Sequence, residues 1–124
     1  MAGQDPTQLT PTEIRLRTTS RCLTISFDDG STFDLPFEYL RVHSPSAEVK
    51  GHGPGQEVLQ TGKEHVRITE VQPIGRYAVR LIFDDGHNTG LYTWNYLHEL
   101  GREQRERWQD YLDRLAAAGY AREP

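Results

Sequence analysis

Two sets of side chains in this sequence have the chemistry to bind a metal or move a proton. They are five histidines, His43, His52, His65, His87 and His98, and four carboxylates in two Asp-Asp-Gly turns, Asp28, Asp29, Asp84 and Asp85. Imidazole suits zinc and iron, and paired carboxylates serve as acid and base or as calcium ligands. The spacing argues against a ready-made centre, because no histidine belongs to a His-x-Asp/Glu, His-x-x-x-His or Cys-x-x-Cys pair. Asp is favoured in tight turns because its side chain bonds nearby backbone amides, and turn formation alone accounts for the four carboxylates. His87 is the best single candidate: it directly follows the second turn and is directed to the core side. His43 and His52 flank the loop that would approach it. The competing reading is that each imidazole satisfies local hydrogen bonds.

Other motifs carry less chemistry. Gly51-His-Gly-Pro-Gly55 is dense in glycine, but it lacks the Gly-Lys-Ser/Thr ending of a phosphate cradle, and Pro54 removes a backbone donor. Thr61-Gly62-Lys63 reads as a turn. Cys22 lies in a strand with no adjacent histidine to activate it, so an inert thiol is expected. Trp94, Trp108 and Tyr111 stand among Glu99, Glu103, Glu106 and Asp110, whose charge would repel phosphate; they read as packing aromatics, not as a base-stacking surface.

These side chains must be positioned by a small fold. A chain of 124 residues with a net charge of -4 can bury one core and has no basic surplus for nucleic acid or an anionic membrane surface. One cysteine excludes an intrachain disulfide and a thiolate cluster, which fits a reducing, cytoplasmic setting. No apolar run approaches the roughly 20 residues that span a bilayer.

Residues 1–11 are polar, contain two prolines and read as a disordered leader; residues 12–118 form the domain, and 119–124 a C-terminal tail. Apolar and polar residues alternate at Ile14 and Leu16, and again at Leu23, Ile25 and Phe27, the pattern of half-buried strands. An internal repeat organises the rest. Ile25-Ser-Phe-Asp-Asp-Gly30 recurs as Leu81-Ile-Phe-Asp-Asp-Gly86 at an offset of 56, and Phe37-Glu-Tyr-Leu40 recurs as Trp94-Asn-Tyr-Leu97 at an offset of 57. A β-bulge in the second copy absorbs the extra residue. A three-residue loop with Gly30 left-handed pairs Ile25 with Phe33 and Leu23 with Leu35, keeping the apolar set on one face. The same loop in the second copy sets His87 across from Phe83 and Leu91 across from Val79. Ser44 reads as an N-cap with Pro45 at the first helical position. Trp94 to Leu100 reads as a helix closed near Gly101, and Arg102 to Ala118 as a helix capped by Gly119. The expected fold is α+β: a mainly antiparallel sheet built from two similar strand-turn-strand-helix units, with a C-terminal helix packed on it.

The run Leu40-Arg-Val-His-Ser-Pro-Ser-Ala-Glu-Val-Lys-Gly-His-Gly53, with Phe83-Asp-Asp-Gly-His87 and Trp94-Asn-Tyr-Leu97, closely resembles the gamma-butyrobetaine hydroxylase-like N-terminal domain family over about residues 12 to 118. The resemblance implies a small α+β domain that occurs alone in bacteria, at the N-terminus of 2-oxoglutarate-dependent oxygenases, and attached to some iron–sulfur carrier ATPases. In the hydroxylases it also implies a structural zinc held by three cysteines and a histidine. The histidine matches His87, and the cysteine positions fall here on Ser44, Ser46 and Val49. One imidazole without thiolates does not make a tetrahedral zinc site, so neither that site nor the oxygenase activity carries over. The expected function is a non-catalytic accessory or protein-interaction module linked to iron–sulfur assembly or 2-oxoglutarate oxygenase metabolism. The alternative is an iron or other divalent-metal site using His87 with His43 or His52.

Overall fold

The computed structural model describes residues 9–51 and 55–123. Two three-stranded antiparallel sheets form, one from each half of the chain. In the first, β1 (Pro11–Arg17), β2 (Cys22–Phe27) and β3 (Thr32–Pro36) lead into α1 (Phe37–Val42) and a single turn, α2 (Ala47–Lys50). In the second, β4 (Ile68–Ile74), β5 (Ala78–Phe83) and β6 (Leu91–Thr93) lead into α3 (Trp94–Arg102), followed by α4 (Gln104–Ala117). The α+β class and the two related units are as expected, with each unit closing a sheet of its own.

The core lies between the halves. Leu23, Ile25 and Leu35 from one sheet and Val79, Leu81 and Tyr92 from the other are almost wholly buried, together with Tyr39, Leu40, Leu97 and Leu100 from the helices. Helix α4 joins a smaller cluster, in which Tyr111 and Leu115 bury against Val42 of α1. Among the described residues no helix is long and apolar enough to cross a membrane.

The first hairpin has the expected register, with Leu23 opposite Leu35 and Ile25 opposite Phe33, and Gly30 takes a φ of 89°. The second departs from it. Phe83 N–H donates to the His87 carbonyl as expected, but Val79 pairs with Tyr92 and Leu91 with Arg80. The extra residue of the second copy therefore lies between His87 and Leu91, in a stretch that leaves the ladder, and it moves the strand on by one so that Tyr92 instead of Leu91 enters the core.

Three boundaries also differ. Strand β1 begins at Pro11, inside the segment read as a leader, and Leu9 N–H donates to Asn95 Oδ1; proline opens an edge strand without losing a ladder bond. Residues 1–8 lie outside the described residues. Ser46, not Ser44, caps α2, its Oγ accepting from Glu48 N–H, because the Ser44 hydroxyl is engaged elsewhere. Gly101 does not end α3. It sits in the last turn under Phe33, and a Cβ there would stand 2.3 Å from the ring. Gly119, with φ 76°, follows α4 as the expected cap.

Candidate functional site

The Asp-Asp-Gly turns do more than turn the chain. Asp29 accepts from Ser31 N–H, and Asp85 accepts from His87 N–H. Each then reaches into the opposite half: Asp29 meets His98 Nε2 on α3 at 2.9 Å, and Asp85 meets Arg41 Nε on α1 at 2.9 Å. Arg41 and His98 immediately follow the repeated Tyr-Leu pairs, so the two bonds are reciprocal. The tyrosines of those pairs are reciprocal as well, with Tyr39 Oη donating to the Leu100 carbonyl and Tyr96 Oη to the His43 carbonyl, both at 2.6 Å. Turn chemistry thus accounts for only part of what Asp29 and Asp85 do. Burial would raise the Asp85 carboxyl, but the Lys63 ammonium at 2.7 Å, the His87 N–H and Arg41 outweigh it and hold it down at about 2. Hydrogen bonds from Ser31, then the His98 ring, hold Asp29 at about 2 despite opposing desolvation.

His87 sits at the second joint, its side chain 1 % exposed. Its Nε2 lies 2.8 Å from Ser44 Oγ and its Nδ1 3.3 Å from Glu48 Oε2. The Glu48 carboxylate only accepts, which places the ring proton on Nδ1 and leaves the Nε2 lone pair to the Ser44 hydroxyl. Ser44 Oγ accepts from Ser46 N–H, and Ser46 Oγ and Thr89 Oγ1 are 2.7 Å apart, with Thr89 donating to Glu48 Oε1. Burial, then the charge of Arg41, pushes the His87 ring below its ordinary range, so it stays neutral. Serine, imidazole and carboxylate stand in the order of a nucleophile, base and orienting acid, but Ser44 is 0 % exposed and no acyl group can reach it. The cluster holds the loop after α1 to the second hairpin.

Of the positions that the resemblance pairs with zinc cysteines, Ser44 meets His87, and the donors present do not fit the metal: Ser44 and Ser46 offer hydroxyls already in hydrogen bonds, and Val49 is a buried alkyl group. Among the described residues no group of three or more His, Cys, Asp or Glu is placed to hold a metal ion. His43 is spent locally, its Nδ1 on the Tyr39 carbonyl at 3.1 Å, and burial pushes its ring down to about 4. His52 lies outside the described residues. His65 is exposed beside Arg21, and His98 is wedged between the rings of Phe27 and Phe33.

What sequence reasoning missed is an open groove of about 400 Å³ between α1, the segment 57–60 and α4. Val42, Val49, Val58, Tyr96 and Tyr111 give it apolar walls, and His43 lies among them. Lys50 Nζ stands 4.5 Å from the Tyr96 ring at its edge, and Val58 is 52 % exposed. The reciprocal joints had little signal, because the repeat ends at Tyr-Leu and the residues that follow, Arg41 and His98, differ. The groove had none, because its walls come from segments far apart in the chain.

None of the curated proteins matches the chain. Among solved structures, two proteins determined by solution NMR are similar at 50 % and 51 % identity, each with a TM-score of 0.81, over 94 % and 100 % of this chain and 92 % of theirs. A crystal structure of a protein of unknown function from Acidithiobacillus ferrooxidans, assigned to the DUF971 family, is 46 % identical with a TM-score of 0.63, over 74 % of this chain and 92 % of that one. The family described as gamma-butyrobetaine hydroxylase-like, N-terminal, matches residues 14–98, which span both hairpins, both reciprocal joints and His87. The chain belongs to the gamma-butyrobetaine hydroxylase-like N-terminal domain family.

Proposed function

We propose that this chain is a non-catalytic accessory module that binds another protein through the groove between α1, residues 57–60 and α4. The observation that carries the reading is a contrast in exposure. The His87 ring and the Ser44 hydroxyl are buried and bonded to each other, whereas the groove leaves apolar side chains such as Val58 open beside polar groups. An apolar floor with a charged rim is the anatomy of a protein contact. The resemblance of the sequence points to iron–sulfur assembly or 2-oxoglutarate oxygenase metabolism as the setting of that partner.

The test is a photo-crosslinking amino acid at Val58, used in native lysate. The expected outcome is one recurrent protein adduct, an iron–sulfur or oxygenase component, that disappears when Leu59→Asp places a charge in the groove. Adducts that persist unchanged in Leu59→Asp would remove the groove as the contact face.

A further inference from the structure

A second set of groups, which shares only Tyr111 with the groove walls, recognises a guanidinium. Glu38 on α1 is 5 % exposed, and its carboxylate is bonded by Tyr111 Oη from α4 at 3.1 Å. Its other partner is Arg122, which forks onto both carboxylate oxygens through Nε and Nη2 while its Cζ lies 5.3 Å from the Trp108 ring. Beside it, Glu64 Oε2 accepts from Tyr120 Oη and Glu123 N–H, both at 2.8 Å. A buried carboxylate that meets a planar fork, an aromatic face and a second carboxylate matches arginine and not lysine, whose ammonium is a single compact charge.

The pocket and its occupant differ in how they are held. Glu38, Tyr111 and Trp108 are fixed by two helices. Arg122 arrives on a segment that follows the left-handed Gly119, belongs to no helix or strand, and keeps the Arg122 side chain 33 % exposed. We infer that the Glu38–Trp108–Tyr111 pocket is a docking site for an arginine-bearing peptide of a partner protein, occupied in cis by Arg122, so that partner and tail compete for it. A site filled in cis binds more weakly from outside, in proportion to the fraction of molecules in which it is empty.

The experiment titrates the blocked peptide Tyr-Ala-Arg-Glu into the full chain and into Arg122→Ala, following Trp fluorescence. Arg122→Ala should bind it about tenfold more tightly or better. Binding should be lost in Arg122→Ala combined with Glu38→Gln, and with the peptide in which lysine replaces arginine. Equal affinity of the two proteins, or equal affinity for the lysine peptide, overturns the proposal. If Arg122→Ala does not fold, the Arg122 side-chain NMR resonance of the unaltered chain decides: displacement by the arginine peptide supports the site, and no change at saturating peptide rejects it. A dimer that forms in the unaltered chain and vanishes with Glu38→Gln would make the occupant a second copy, and the partner reading falls. The sites share Tyr111, but the groove test alters Val58 and Leu59 and this one only Glu38 and Arg122, so the two failures are separate results.

Discussion

In the first half of the molecule Phe33 covers Gly101, and in the second Gly90 lies against Ser44, whose Oγ would stand 2.4 Å from a Cβ added there. These are the same two positions, offset by 57 in the chain, with the large and small partners exchanged between strand and helix end. In one joint an aromatic ring on β3 fills the space, His98 lies edge-on to it, and the carboxylate partner Asp29 remains 40 % exposed. In the other the missing ring leaves room for Ser44, His87 and Thr89, and the carboxylate Asp85 meets a guanidinium that is 8 % exposed. One backbone design therefore supports an apolar joint and a polar one, and the polar one holds the buried charge.

The largest expected contrast comes from removing the side chains that bond the turn carboxylates across the halves. Arg41→Leu takes the counter-charge from a pair that is mostly buried and should cost about 3 kcal/mol, the lower end for such pairs because Lys63 still faces Asp85. His98→Leu takes one hydrogen bond from Asp29, which stays open to water, and should cost much less. Urea denaturation of both variants checks this, and equal costs would break the distinction between the joints.

Acid should act next, and first through His43. His43 occupies the position equivalent to Leu100, and burial holds its ring at about 4 with Arg107, Arg114 and Asp110 nearby. Its folded pKa lies below the unfolded value near 6.5, so its contribution is complete above that pH and is lost as pH falls towards 4. The loss is on the order of 3 kcal/mol, with His87 acting in the same direction. Below pH 4 the lowered carboxyls of Asp29 and Asp85 add further loss. Stability measured across this range should fall far less steeply in His43→Leu; an unchanged acid profile would mean that the protonation lies elsewhere.

The smallest contrast is in the glycines. Gly101→Ala drives a methyl group into Phe33 and should cost about 2 kcal/mol, and Gly90→Ala against Ser44 about 1 kcal/mol. The double variant Gly90→Ala with Ser44→Ala should recover part of the second cost and none of the first. Strict additivity of that pair would show that Gly90 and Ser44 do not touch as described.

Much of this was legible in the chain because it is local. Alternation fixed the face of β2, the Asp-Asp-Gly turn set the register of the first hairpin, and Gly119 marked the end of α4. The repeat foretold two equivalent units. The second register was misplaced by one because the repeat shows that a residue is inserted without showing where, and a strand turns its side chains over with each residue. The N-cap moved from Ser44 to Ser46 for a tertiary reason: His87, 43 residues away, takes the Ser44 hydroxyl.

The sequence by itself determined the strands, the turns and the duplicated order, because propensity, alternation and turn chemistry act within a few residues. Tertiary structure alone decided that Asp85 would meet Arg41, that Arg122 would reach Glu38 from 84 residues away, and that His87 would close a hydrogen-bonded joint. Those pairings depend on which groups lose water together when the halves and helices meet, a condition that no local pattern in the chain encodes.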